Sequence, residues 1–281
     1  MAKNLDHLDL APVRLVIFDL DGTLYADTRQ FDHYAARLRE YVPPAARTAY
    51  DRDYAAVKAG RHPLQIGRLY DNDADLILAA DRHLRVTAGW RWDGPPVDPS
   101  DLRRRYPEPV RPDAEHIVTV GDGWWLPPPC ARHHGAVASQ EPFLATRRLM
   151  LAPEWKMGRI PGLRAALTRL KAGGRRLTVC SNSPDGDVQQ VLDKLGLGRL
   201  VEDVYPAAGK PVGAVAAYRT LAAGAEGAAV LAIGDNYLND IAPAEALGYQ
   251  TLLVNPHGTA YDGYHGPQVR SLNRSVLHGW R

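Results

Sequence analysis

Residues 15–24 read Leu15-Val16-Ile17-Phe18-Asp19-Leu20-Asp21-Gly22-Thr23-Leu24. Four apolar residues run straight into two carboxylates one residue apart, followed by glycine and threonine. A short apolar run ended by polar residues and glycine predicts a buried strand that stops at a loop. An unpaired carboxylate is expensive to bury. Two at the mouth of such a strand therefore call for a cation or a reaction, against the plainer reading of a solvated Asp-Gly turn.

Regular α/β patterning returns only after Lys156. Leu163, Leu167 and Leu170 mark a helix ended by Gly173-Gly174. Leu177-Thr178-Val179-Cys180 predicts a short buried strand that stops at Ser181-Asn182, and Ser183-Pro184 reads as the cap and first turn of the next helix. A weaker strand covers Leu200 to Tyr205, and Lys210-Pro211 precedes a helix from Val212 to Leu221. Ala229 to Ile233 predicts a strand ending at Gly234-Asp235, Ile241 to Leu247 a helix, and Thr251 to Val254 a last strand. Strands alternating with helices imply a parallel sheet covered on both faces, with ligands at the carboxyl ends of its strands.

The polar residues left at those ends are Asp19, Asp21, Ser181, Asn182 and Asp235, with Lys210 nearby. A phosphate dianion needs donors and positive charge, which Ser181, the backbone around it and Lys210 supply. Asp19 approaches a phosphate only if charge is neutralised. Mg²⁺, a hard cation with oxygen ligands, does this with few carboxylates, and Asp235 and Asp240 complete the acidic side. Zinc is not expected, since the donors are oxygens. A Ser-Asn, a Lys-Pro or a Gly-Asp is common singly; four such features in order, at strand ends or the loops after them, form a specific signal.

In that order they resemble the four motifs of the haloacid dehalogenase superfamily in its phosphatase form. Asp19-Leu20-Asp21-Gly22-Thr23 resembles the first motif, Ser181 the second, Lys210 the third, and Gly234-Asp235-Asn236-Tyr237-Leu238-Asn239-Asp240 the fourth. The resemblance covers residues 13–25 and roughly 156–255. It implies a Rossmann-like, doubly wound parallel α/β core, formed by residues 1–25 and 156–281, with a mainly helical cap of the C1 type, residues 26–155, inserted after the first strand. It implies a phosphatase that uses Asp19 as nucleophile, forming an aspartyl phosphate, and Asp21 as the acid and base. Ser181, Asn182 and Lys210 would bind the substrate, a small organic phosphate ester, and Asp19, Asp21, Asp235 and Asp240 the Mg²⁺. A phosphomutase shares all four motifs and stays open, as does a non-catalytic binding module on the same fold. A dehalogenase needs neither the second carboxylate nor a metal.

The insertion has its own character. Phe31, Tyr34, Ala35, Leu38, Tyr41 and Val42 recur at helical spacing until Pro43-Pro44. A second helical region is expected from about Pro63 to Leu84, and irregular chain from Gly89 to Pro112. His116 to Val120 predicts a strand, Phe143 to Leu151 a helix, and Arg132-His133-His134 a loop. As a substrate-selecting lid, the insertion would offer Trp90, Trp92, Trp124 and Trp125 as apolar walls and Arg132, His133 and His134 as donors.

Composition narrows the class. The 281 residues carry a net charge of +2, which argues against a nucleic-acid partner. Cys130 and Cys180 lack metal-type spacing and read as two free thiols in a reducing compartment. With no apolar leader and no run long enough to span a membrane, a cytoplasmic protein without a membrane partner is expected.

Overall fold

The computed structural model describes residues 5–113, 115–256, 258, 261 and 264–273; the chain ends assigned above to the core domain lie outside the described residues. Two compact units emerge, Met1–Asp27 with Pro153–Arg281, and Thr28–Ala152. The first unit opens on β1 (Leu15–Phe18), whose four side chains are all buried.

The second unit begins with α1 (Arg29–Arg39) and α2 (Arg47–Lys58). Then follow β2 (Leu69–Asp71), β3 (Leu76–Ala80), β4 (Val86–Arg91), α3 (Pro99–Arg105), β5 (Ile117–Thr119), α4 (Pro127–His133) and α5 (Glu141–Leu151). Its strands form an antiparallel sheet in the order β4-β3-β2-β5. The expected helix from Pro63 to Leu84 is therefore incorrect, and the unit is mixed α/β rather than mainly helical. The chain reverses between β2 and β3 because the Asp71 carboxylate accepts hydrogen bonds from the Asp73 and Ala74 amides, at 2.9 and 2.7 Å. That side-chain turn takes donors a helix would need. Leu69 and Leu78 then meet directly across the two strands.

Two other expectations are corrected in the same unit. The stretch from Gly89 to Pro112 holds the end of β4 and all of α3, which starts where the Asp98 carboxylate accepts from the Ser100 amide at 2.7 Å. Pro127, Pro128 and Pro129 form the first turn of α4, where missing amide hydrogens leave no helical bond unmade. His133 and His134 thus close a helix instead of lying on a loop.

The expected substrate walls and donors are largely engaged inside this unit. Trp92 stacks on His133 with ring centroids 4.3 Å apart, and its Nε1 donates to Asp53 Oδ2 at 3.0 Å. His134 Nε2 lies 3.0 Å from the same carboxylate oxygen, His133 Nδ1 lies 2.8 Å from Asp75 Oδ2, and Arg132 Nε donates to the Asn72 carbonyl. The Arg68 guanidinium sits 4.1 Å from the centre of the Trp90 ring. Trp124 packs edge-on against Phe31 and Phe143, with centroids 5.6 and 5.2 Å away.

The first unit continues with α6 (Leu163–Ala172), β6 (Arg176–Cys180), α7 (Asp187–Leu195), β7 (Asp203–Tyr205) and α8 (Ala214–Ala222). After them come β8 (Val230–Gly234), α9 (Ala242–Ala246), β9 (Gln250–Val254) and β10 (Gln268–Val269). Among the described residues they build one six-stranded parallel sheet in the order β10-β9-β8-β1-β6-β7. The chain runs outward from β1 through β6 to β7, then resumes at β8 on the other side of β1. The fold is thus the expected doubly wound α/β sheet, and its order reverses beside β1, where such sheets bind ligands. Leu15 and Ile17 of β1 join Val230 and Ala232 of β8 against Ala217, Tyr218 and Leu221 of α8. The alternate residues Val16 and Phe18 are also buried, which is why the run reads as continuously apolar. No helix among the described residues is long and apolar enough to cross a membrane.

Trp124 is 6% exposed and centres the aromatic cluster of its unit. Replacing it with alanine is expected to destabilise that unit by about 3–5 kcal/mol in chemical denaturation, the usual loss for a buried Trp. A loss below about 1 kcal/mol would contradict the packing described.

Candidate active site

Asp19, Ser181 and Asp235 each sit where a buried strand ends. The Asp19 amide donates to the Ile233 carbonyl at 2.8 Å, so the ladder between β1 and β8 extends to the first carboxylate. Gly22 turns the chain with φ of +86°, and a Cβ there would stand 2.0 Å from Asp235 Oδ2. Glycine is required for both reasons. At the end of β8, a Cβ on Gly234 would meet the Asp240 side chain at 2.3 Å. Asp240 itself is carried on a π-helical turn, Tyr237–Ile241, opened where Asn236 Oδ1 accepts from the Asn239 amide at 2.8 Å.

Lys210 ties these ends together. Its Nζ donates to Asp19 Oδ1 at 2.8 Å, to Asp240 Oδ1 at 2.6 Å and to the Cys180 carbonyl at 3.0 Å. Burial lowers the Lys210 pKa, but Asp19 and Asp240 outweigh it, so the ammonium is held well above its ordinary value and stays charged. The Asp19 pKa is pushed up to about 7, first by burial; Lys210 opposes the rise, and Asp240 and Asp21 add to it. One oxygen of Asp19 is anchored by Lys210, while the other, Oδ2, is buried without a hydrogen-bond donor.

The remaining groups complete the arrangement. Ser181 Oγ accepts from the Ser183 amide at 3.0 Å, which leaves the hydroxyl proton to donate elsewhere. Asp21 accepts from the Tyr25 hydroxyl on one oxygen and from Ser183 Oγ, at 2.9 Å, on the other. Ser183 therefore does not cap a helix: α7 starts only at Asp187, after Gly186. The side chain of Asn182, expected to bind substrate, is committed elsewhere. Its Oδ1 accepts from the Lys210 amide at 2.7 Å and its Nδ2 donates to the Lys210 carbonyl at 3.1 Å. It positions the lysine backbone.

Residues 154–248 match the family model described as haloacid dehalogenase-like hydrolase. That segment is similar to this superfamily. No curated protein matches it. Among solved structures, the superfamily phosphatase from Thermococcus onnurineus aligns at 14% identity over 96% of this chain and 100% of that one, with a TM-score of 0.50. The L-2-haloacid dehalogenase RSc1362 aligns at 17% identity over 95% and 97%, with a TM-score of 0.50. YfnB from Bacillus subtilis, solved bound to magnesium, aligns at 15% identity over 95% and 97%, with a TM-score of 0.50. At such identities the likeness is one of fold.

Haloacid dehalogenase-like enzymes usually use Mg²⁺, and the donor set of this chain fits that ion. Oxygens of Asp19, Asp235 and Asp240 lie within 4.8 Å of one another. They are hard donors, and their charge exceeds the single positive charge of Lys210. Asp21, expected as a fourth metal ligand, does not belong to that group; its carboxylate faces two hydroxyls.

Two variants test this assignment by calorimetric Mg²⁺ titration. Asp235→Ala is expected to weaken binding at least ~10-fold by removing one of three carboxylates. Gly22→Ala should weaken it as well, by pressing on Asp235, and lower stability by about 1–2 kcal/mol for the strained backbone. Unchanged Mg²⁺ affinity in Asp235→Ala would show that the cluster serves another purpose.

Proposed function

We propose that this enzyme is a Mg²⁺-dependent phosphatase that hydrolyses a small organic phosphate monoester through an aspartyl phosphate on Asp19. The observation that carries this reading is the asymmetry of Asp19. Lys210 fixes one of its oxygens at 2.8 Å, and the other has no donor, as a nucleophile requires.

The other residues fit the steps of such a reaction. Asp19 Oδ2 forms a bond to phosphorus as the ester oxygen departs. Asp21 delivers a proton to that oxygen, then takes one from the water that attacks the aspartyl phosphate, so phosphate is released and both carboxylates are restored. Ser181 presents its hydroxyl proton to a phosphoryl oxygen, and the Lys210 charge offsets that of the nucleophile and the phosphoryl group. Mg²⁺, held by Asp19, Asp235 and Asp240, would supply the further positive charge that lets a dianion approach.

A second carboxylate 6% exposed, and given hydroxyl partners rather than a place among the metal ligands, favours this reading over a dehalogenase, which has no proton to deliver. Recognition of the organic part of the substrate is assigned to the inserted unit.

Phosphate release from a panel of esters tests the proposal. Turnover should vanish in EDTA and return with Mg²⁺, and Asp19→Asn should abolish it in a folded protein. Asp21→Asn should lose roughly 10²–10⁴-fold on esters with basic leaving groups and less on p-nitrophenyl phosphate. Retained activity in Asp19→Asn, or turnover that requires a sugar bisphosphate activator as in a phosphomutase, would contradict it.

A further inference from the structure

The geometry points to Tyr25 and Ser183 as positioning residues that hold the Asp21 carboxylate for proton transfer and out of the metal cluster. This inference rests on the phosphatase reading and assigns residues that the four motifs leave without a role.

Asp21 lies two residues from Asp19 and is buried beside a group of carboxylates that would draw any cation. Nothing in its residue type distinguishes it from the ligands. Its surroundings do. The Tyr25 hydroxyl donates to Oδ1 and the Ser183 hydroxyl to Oδ2, so each carboxylate oxygen has its own neutral donor. The two donors come from different segments of the chain, one after β1 and one after β6, so together they fix where the carboxylate lies.

Both hydroxyls are held by backbone. Tyr25 is 1% exposed, pairs across an isolated bridge with Arg159, and is followed by the Ala26 amide donating to Gly158 at 2.9 Å. The Ser183 amide donates to Ser181 Oγ at 3.0 Å, and its carbonyl accepts from the Ala207 amide at 2.9 Å. The turn after β6 thus carries two hydroxyls with separate duties: Ser181 toward phosphate and Ser183 toward the proton carrier.

Because the two residues act through Asp21, their removal should matter in proportion to the need for a proton. Tyr25→Phe, Ser183→Ala and the double variant are compared with wild type on phenyl phosphate and p-nitrophenyl phosphate, esters of nearly one shape whose leaving groups differ in basicity. The ratio of kcat on phenyl to kcat on nitrophenyl phosphate should fall about 10-fold in the double variant, with KM little changed. Ser183→Thr, which keeps the hydroxyl, should restore the Ser183→Ala loss. A crystal structure of the double variant should show the Asp21 carboxylate turned from its wild-type place. Equal losses on both esters, or a carboxylate that has not moved, would overturn the inference. Wild-type protein that turns over neither ester would overturn the phosphatase reading instead, and the crystal structure alone would then decide whether the hydroxyls position Asp21.

Discussion

A buried ammonium between two buried carboxylates is the interaction on which the rest of this structure depends. Asp19 and Asp240 come from the ends of different strands and would repel each other in a medium of low dielectric. Lys210 Nζ, 2.8 Å from one and 2.6 Å from the other, makes their approach tolerable. Losing one member of such a buried set typically costs about 3–5 kcal/mol, because charges are left uncompensated. Much else serves this contact: the Asn182 amide holds the Lys210 backbone from both sides, and glycines at 22 and 234 leave space for Asp235 and Asp240. One ammonium against these carboxylates still leaves a negative site, and that deficit is the physical case for a cation.

The site divides into two halves around Asp19. On one side stand Lys210, Asp235 and Asp240, all charge. On the other, Asp21 accepts from the Tyr25 and Ser183 hydroxyls. Two aspartates one residue apart thus stand in different neighbourhoods because strand and loop send them there, as the separate roles proposed for them would require.

Much of this was legible in the sequence, and the reason is burial on both faces of a parallel sheet. Leu15 to Phe18 and Val230 to Ile233 are apolar at every position, so their ends, and the carboxylates there, stand out. The inserted unit offered no such contrast. Its β2 and β3 strands are three and five residues long, and the turn between them depends on one Asp71 side chain. Leucines spaced through Pro63 to Leu84 therefore passed for one helix. The helix α4 hid behind three prolines that are harmless only in a first turn. Asn182 and Ser183 read as a phosphate ligand and a helix cap because those are the local uses of such residues. Their actual partners lie 28 and 162 positions away, beyond any short-range pattern.

The central claim is that Asp19 becomes covalently phosphorylated during turnover. Acid quenching the enzyme in steady state with a 32P-labelled ester and Mg²⁺, followed by mapping of the labelled peptide, tests it most directly. The account predicts acid-stable, base-labile label on the peptide holding Asp19, absent from Asp19→Asn and accumulating in Asp21→Asn, where release of the phosphoryl group is slowed. Steady turnover with no label on that peptide, or label on another residue, would contradict it.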